Sequence, residues 1–131
     1  MLLKEPKYYF FDNAQVEGDK GARLENLVAT SLKREVEFIE DTLGEKMRLC
    51  FVRSKDGLEV DFMVCRDDVP THLFEVKWSD DEPSKALAHF MKLWPKITTL
   101  QLVHELRREK SWPNGIDVKL LSAYLSELTL T

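Results

Sequence analysis

The sequence predicts a single α/β domain with a mixed central sheet flanked by helices. Three observations predict it. One long segment carries apolar residues at helical spacing. Short strand-like runs joined by tight turns follow it. A second helical segment then leads into a further apolar strand. Read in order, the core is α-β-β-β-α-β. The chain has 131 residues, enough to bury one core and form one domain over 1–131.

Each element has a local cause. Residues 7–11 (KYYFF) are aromatic and read as a short strand that stops at Asp12 and Asn13. Residues 18–21 form a polar turn. From Ala22 to Leu43 the residues Leu24, Leu27, Val28, Leu32, Val36, Ile39 and Leu43 recur every three or four positions, giving one apolar stripe. Gly44 supplies the C-cap. Residues 49–52 form a short strand, and Asp56 with Gly57 signals a hairpin. Residues 58–65 return, residues 66–70 turn again, and residues 72–78 form a third strand. Connections this short require antiparallel neighbours. A helix over about 83–93 follows, capped by Glu82 or Ser84 and closed by Trp94 and Pro95. Residues 98–103 (TTLQLV) form the fourth core strand. Residues 107–110 and 112–115 are polar loop. Residues 116–121 form a last strand and 124–128 a short terminal helix.

Composition narrows the function. No apolar run approaches the length of a membrane span, and the N-terminus lacks the apolar stretch of a signal peptide. The expected location is the cytoplasm, with no membrane partner. Cys50 and Cys65 lie in apolar runs without metal-ligand spacing, so reduced, buried thiols are expected and a zinc site is not. The net charge of -4 argues against a protein that coats DNA by bulk electrostatics. It does not exclude a site whose carboxylates are neutralised by a cation.

The chemistry is carried by two neighbouring strands. In residues 58–64 (LEVDFMV), alternation puts Leu58, Val60, Phe62 and Val64 on one face and Glu59, Asp61 and Met63 on the other. Asp61 is thus a carboxylate inside an apolar strand, costly to bury unpaired. In residues 73–78 (LFEVKW), Phe74, Val76 and Trp78 share the apolar face. Glu75 and Lys77 share the other, about 6–7 Å apart. One turn joins the strands, so Asp61, Glu75 and Lys77 are expected to converge in a cleft roofed by the long helix. A divalent cation removes the repulsion between two close carboxylates. A lysine beside it orients a water or stabilises charge on a phosphate. Glu25, at the rim of the helical stripe, can reach the same edge, and Asn26 lies next to it.

The set Glu25, Asn26, Leu27, Val28, then Glu59, Val60, Asp61, Phe62, then Glu75, Val76, Lys77 resembles the PD-(D/E)xK nuclease superfamily. More closely, it is similar to the uncharacterised C-terminal domain attached to many bacterial and archaeal AAA-type ATPases. That domain carries Lys-x-Tyr-Phe-x-Asp, matched here by residues 7–12, before the Glu-Asn-Leu-Val, Glu-Val-Asp-Phe and Glu/Gln-Val-Lys segments. The resemblance covers roughly residues 7–105. It implies a restriction-endonuclease-like, Holliday-junction-resolvase-like core and magnesium- or manganese-dependent hydrolysis of DNA. By it, Asp61 and Glu75 hold the metal, the Val76 carbonyl adds a ligand, Lys77 serves the water or transition state, and Glu25 binds directly or through water. It implies an ATPase domain or subunit as partner and allows a homodimer. The chain has no GxxxxGK[ST] phosphate-binding loop. Asn13, Ala14 and Gln15 stand where that family has a small Gly-containing turn.

Two other function classes fit the same residues. One is a non-catalytic docking module of an ATPase whose old site survives as an ion pair. The other is a nucleic-acid binder without cleavage. Glu59, the three histidines, and the Lys33–Arg34 pair read as ordinary solvated or half-buried residues. So do Arg107, Arg108 and Lys110. Trp78 and Trp112 read as core or rim residues.

Overall fold

A computed structural model describes the backbone of Lys7 and Tyr8 and all of residues 20–130. The elements run β1 (Lys7–Tyr8), α1 (Lys20–Leu43), β2 (Met47–Arg53), β3 (Glu59–Arg66), β4 (Val69–Lys77), α2 (Lys85–Met91), β5 (Thr98–Val103), β6 (Lys110–Ser111), β7 (Ile116–Leu120) and α3 (Leu121–Ser126). The mixed α/β architecture and the order α1-β2-β3-β4-α2-β5 match the sequence reading. One seven-stranded sheet runs in the order β1-β2-β3-β4-β5-β7-β6. Strands β1 to β4 are antiparallel neighbours, while β4, β5 and β7 are parallel. The remainder of the first expected strand, the segment around Asp12, and residues 13–15 lie outside the described residues.

Several boundaries differ from expectation. Lys20 and Gly21 belong to α1 rather than to a turn. The second helix is shorter than 83–93, because the Ser84 side chain accepts from the Leu87 N–H and sets its start. The loop expected over 107–115 contains β6, which pairs with β7.

The sheet separates two cores. On one side α1 lays Val28, Leu32, Val36 and Ile39 over Phe62, Val64, Phe74, Val76 and Leu102. On the other, α2 covers Val60, Met63, Cys65, Leu73 and Val118 with Leu87 and Phe90. Fully buried side chains of this size stabilise by about 1.5–3 kcal/mol each. Cys50 and Cys65 are free and buried, as expected.

The face assignment of β3 needs correction. Leu58 and Val60 pack into the α2 core, whereas Phe62 and Val64 pack into the α1 core. Strict alternation would put all four together. The cause is a bulge. Cys50 pairs with Met63 and Val52 with Val60, so Phe51 alone opposes both Asp61 and Phe62. One extra residue on β3 shifts the phase of everything before it. The bulge falls at Asp61.

Candidate functional site

The β3–β4 ladder stops at Phe62 opposite Phe74. Beyond it the two strands part, although β3 still pairs with β2 as far as Glu59. Side chains replace the missing ladder bonds. The Val76 N–H donates to Asp61 Oδ2 at 2.8 Å, and the Asp61 N–H donates to Glu75 Oε1 at 3.3 Å. Each acid therefore holds a backbone amide at or next to the other. In an extended strand, the N–H and C=O of one residue point to the same edge. The Val76 carbonyl accordingly faces this fork too. The Lys77 carbonyl points the opposite way and accepts from the His104 N–H at 3.0 Å.

Glu75 is buried at 6% exposure. Its second oxygen, Oε2, accepts from Ser84 Oγ at 2.9 Å. Ser84 is the N-cap of α2, so Glu75 lies on the α2 side. Lys77, two residues on, shares that side. It lines a pocket of about 490 Å³ with Glu59, Glu75, Asp80, Glu82, Ser84 and Lys85, among others. Among the described residues Lys77 enters no ion pair.

Glu25 comes from the opposite side. It is exposed on the first turns of α1, in helical phase with Val28, Ala29, Leu32, Val36 and Ile39, and therefore aimed at the sheet. Its carboxyl lies close enough to Asp61 to draw that group's titration down. The expected single cleft roofed by the long helix is thus corrected. Glu75 and Lys77 open toward the loop before α2, Glu25 approaches from α1, and Asp61 sits in the fork between them. The bulge is the reason, since it takes Asp61 off the face that alternation assigned to it.

The electrostatics follow from this crowding. Burial first, then the hydrogen bond and negative charge of Glu75, push the Asp61 carboxyl up to about 8. The Val76 amide and the Glu25 contact pull against that rise. At neutral pH the fork therefore keeps a proton where open water would leave a second negative charge. A cation is the other way to satisfy the same donor set. Two carboxylates and a carbonyl are hard oxygen ligands, which suit magnesium or manganese. Among the described residues, no group of three His, Cys, Asp or Glu side chains stands arranged for a metal. The fitting set is Asp61, Glu75 and the Val76 carbonyl, with Glu25 behind Asp61.

Residues 20–122 match the family described as a domain of unknown function (DUF4143). The chain belongs to the DUF4143 family. The match runs from the first residue of α1 through β7 and includes Glu25, Asp61, Glu75 and Lys77. No curated protein and no solved structure matches the chain.

Other expectations for this DUF4143 domain can be placed on the same geometry. Glu59 pairs with Arg53 on β2 and lines the Lys77 pocket from its rim. His72 is half-buried, and burial pulls it down to about 4. Trp78 and Trp112 pack at the margins of the two cores. Asn26 is buried, and among the described residues its Oδ1 has no hydrogen-bond partner. Among the described residues, no helix is long and apolar enough to cross a membrane. A larger groove of about 660 Å³ lies at the far end of β4, lined by residues such as Arg66, His72, Trp94 and Leu130 but by no carboxylate. Its distance from every acid of the fork removes it as the seat of the same chemistry.

The sequence reading missed two residues that touch the site. Ser84 was expected only as a cap. Gln101 was read as part of an apolar strand, yet it is fully buried beside Glu75. The signal was present: a polar side chain inside TTLQLV is the same kind of anomaly as Asp61 inside EVDF.

Proposed function

We propose that the fork between β3 and β4 binds a divalent cation, Mg²⁺ or Mn²⁺, and hydrolyses phosphodiester bonds in DNA. The observation that carries this reading is the reciprocal arrangement of Asp61 and Glu75. A buried acid, Glu75, and a half-buried one, Asp61, are held by each other's strand, with the Val76 carbonyl facing the same gap. The PD-(D/E)xK resemblance of the same residues supports it.

Asp61, Glu75 and the Val76 carbonyl would hold the ion. Such an ion supplies an activated water and neutralises the charge that develops on the phosphate. Lys77 projects into the adjoining pocket, where its ammonium orients the attacking water or stabilises the phosphate oxygens. Glu25, close to Asp61, would steady that carboxylate and could hold a metal-bound water from the α1 side. The chain would act beside an ATPase domain or subunit in the cytoplasm, and as a homodimer if it follows resolvase-like relatives.

One observation favours a second reading, a non-catalytic docking module of an ATPase. Glu59, Asp80 and Glu82 line the same pocket as Lys77 and Lys85, and the chain's net charge is -4. Both features repel a phosphodiester backbone. Calorimetric titration with Mn²⁺ and a plasmid-nicking assay separate the two. Wild type is expected to bind and nick, and Asp61→Ala to do neither. Lys77→Ala is expected to bind Mn²⁺ normally and nick about 10²–10³-fold more slowly. Equal Mn²⁺ binding by wild type and Asp61→Ala, or none by either, removes the metal site.

A further inference from the structure

We propose that Gln101 is a positioning residue. Through the loop before α2 and the Ser84 hydroxyl, it fixes the carboxylate of Glu75. Gln101 sits in the middle of β5, directly beside Glu75 in the parallel register, and is 0% exposed. Its neighbours Leu100 and Leu102 belong to the α1 core, so its amide projects to the α2 side, as Glu75 does. A buried amide is costly unless its polar atoms are satisfied. All three contacts that satisfy it go to one loop. Oε1 accepts from the Ser84 N–H at 2.9 Å, and Nε2 donates to the carbonyls of Glu82 at 2.7 Å and Asp80 at 3.1 Å.

The loop in turn delivers Ser84. A hydroxyl has one proton to give. Ser84 Oγ accepts from the Leu87 N–H at 3.3 Å as the cap of α2, and it gives its proton to Glu75 Oε2 at 2.9 Å. Glu75 is therefore held at both oxygens, by Ser84 on one and by the Asp61 N–H on the other. Take away Gln101 and the loop loses its fixed distance from β5. The Ser84 hydroxyl then keeps its cap contact with the Leu87 N–H but loses the tie to β5 that sets its place over Glu75. An apolar residue at 101 would suit the strand equally well; only the loop needs the amide.

That Glu75 serves a metal is the reading argued above. The clamp itself rests on these contacts alone. Amide hydrogen exchange tests it without metal. The Asp61 amide reports on Glu75, and the Val64 amide, within the β3 ladder, gauges global opening. Relative to Val64, Ser84→Ala is expected to speed Asp61 exchange by about tenfold, and Ser84→Thr, which keeps the hydroxyl, to restore it. Gln101→Met, which keeps the volume, is expected to speed Asp61 exchange as much as Ser84→Ala does. The double variant should add nothing further. Unchanged Asp61 exchange in Gln101→Met, with Ser84 exchange accelerated, overturns the clamp, and so does full additivity in the double variant. If Gln101→Met does not fold, Gln101→Glu takes its place, with the same two outcomes. A Mn²⁺ titration of the same proteins keeps the two readings apart. No binding by wild type sinks the metal site and leaves the exchange result to decide the clamp. Where wild type binds, Gln101→Met must weaken binding as Ser84→Ala does, and equal affinity overturns the clamp.

Discussion

The β3–β4 pair ends in two ways, and both ends are built with aspartates. At one end Asp67 and Asp68 close a two-residue hairpin between Arg66 and Val69. Both adopt positive φ, 49° and 65°, as such a turn demands. Asp68 lies in water against Lys46 at 3.0 Å and Arg48 at 3.3 Å. Those cations, Lys46 first, hold its carboxyl below the usual range. At the other end the ladder opens, Asp61 is drawn into the gap, and burial with Glu75 beside it pushes its carboxyl up to about 8. The same side chain is charged with ease at one end and under protest at the other. The turn uses aspartate for its backbone tolerance. The fork holds it where a charge is costly and, under the proposed reading, where a cation would offset that cost.

The largest effect that can break this contrast is on stability against pH. Asp61 has an unfolded-state value near 3.8 and a folded value of about 8. Between the two, the folded protein holds a proton that the unfolded chain has released. Stability is therefore full below the lower value and falls as pH rises toward the upper one. The limiting slope for one such proton is about 1.4 kcal/mol per pH unit. Asp61→Asn should flatten this window and stabilise the protein most near pH 8, as read by urea denaturation from pH 4 to 9. Asp68→Asn runs the other way. Its folded value is depressed, so the stability it supplies is present above the unfolded value and lost as pH falls into the acid range. Saturating Mn²⁺ should rescue wild type above pH 7 and leave Asp61→Asn unmoved. A wild-type curve as flat as that of Asp61→Asn would erase the difference between the two ends.

A smaller effect sharpens the fork from the α1 side. Glu25 acts on the Asp61 carboxyl, so under the proposed metal reading its role is to steady a ligand. Glu25→Gln keeps the size of the side chain and loses its charge. It should weaken Mn²⁺ binding by about tenfold, in the range of lost outer partners of metal ligands, with little change in melting temperature. A loss as complete as that of Asp61→Ala would make Glu25 a direct ligand instead.

Much of this was legible in the sequence because period reports burial. The α1 stripe, the Asp56–Gly57 hairpin and the apolar strands each carry a local signal, and the order of elements followed. The acids were legible for the same reason: Asp61 and Glu75 interrupt apolar runs where a carboxylate needs a partner. What stayed hidden is set by pairing rather than by period. The bulge opposite Phe51 cannot be read from β3 alone, because it exists only relative to β2. It moved Leu58 and Val60 to the α2 core and Asp61 into the fork. Gln101 was hidden likewise, since its three partners come from a loop 17 to 21 positions away.

The smallest effect belongs to the hairpin and should leave the fork untouched. Asp67 occupies the left-handed region at φ 49°, which aspartate tolerates through local hydrogen bonding and a β-branched residue does not. Asp67→Val should therefore destabilise by about 1–2 kcal/mol, while Asp67→Gly should be neutral or slightly stabilising, both read as urea midpoints. Neither should change Mn²⁺ affinity. The turn fixes the register of β3 against β4, but the paired rows from Val64 to Phe62 stand between it and Asp61. A substitution at Asp67 that altered Mn²⁺ binding at matched stability would mean that strain at the turn reaches the acids through the ladder, and the two ends of the strand pair would no longer be independent.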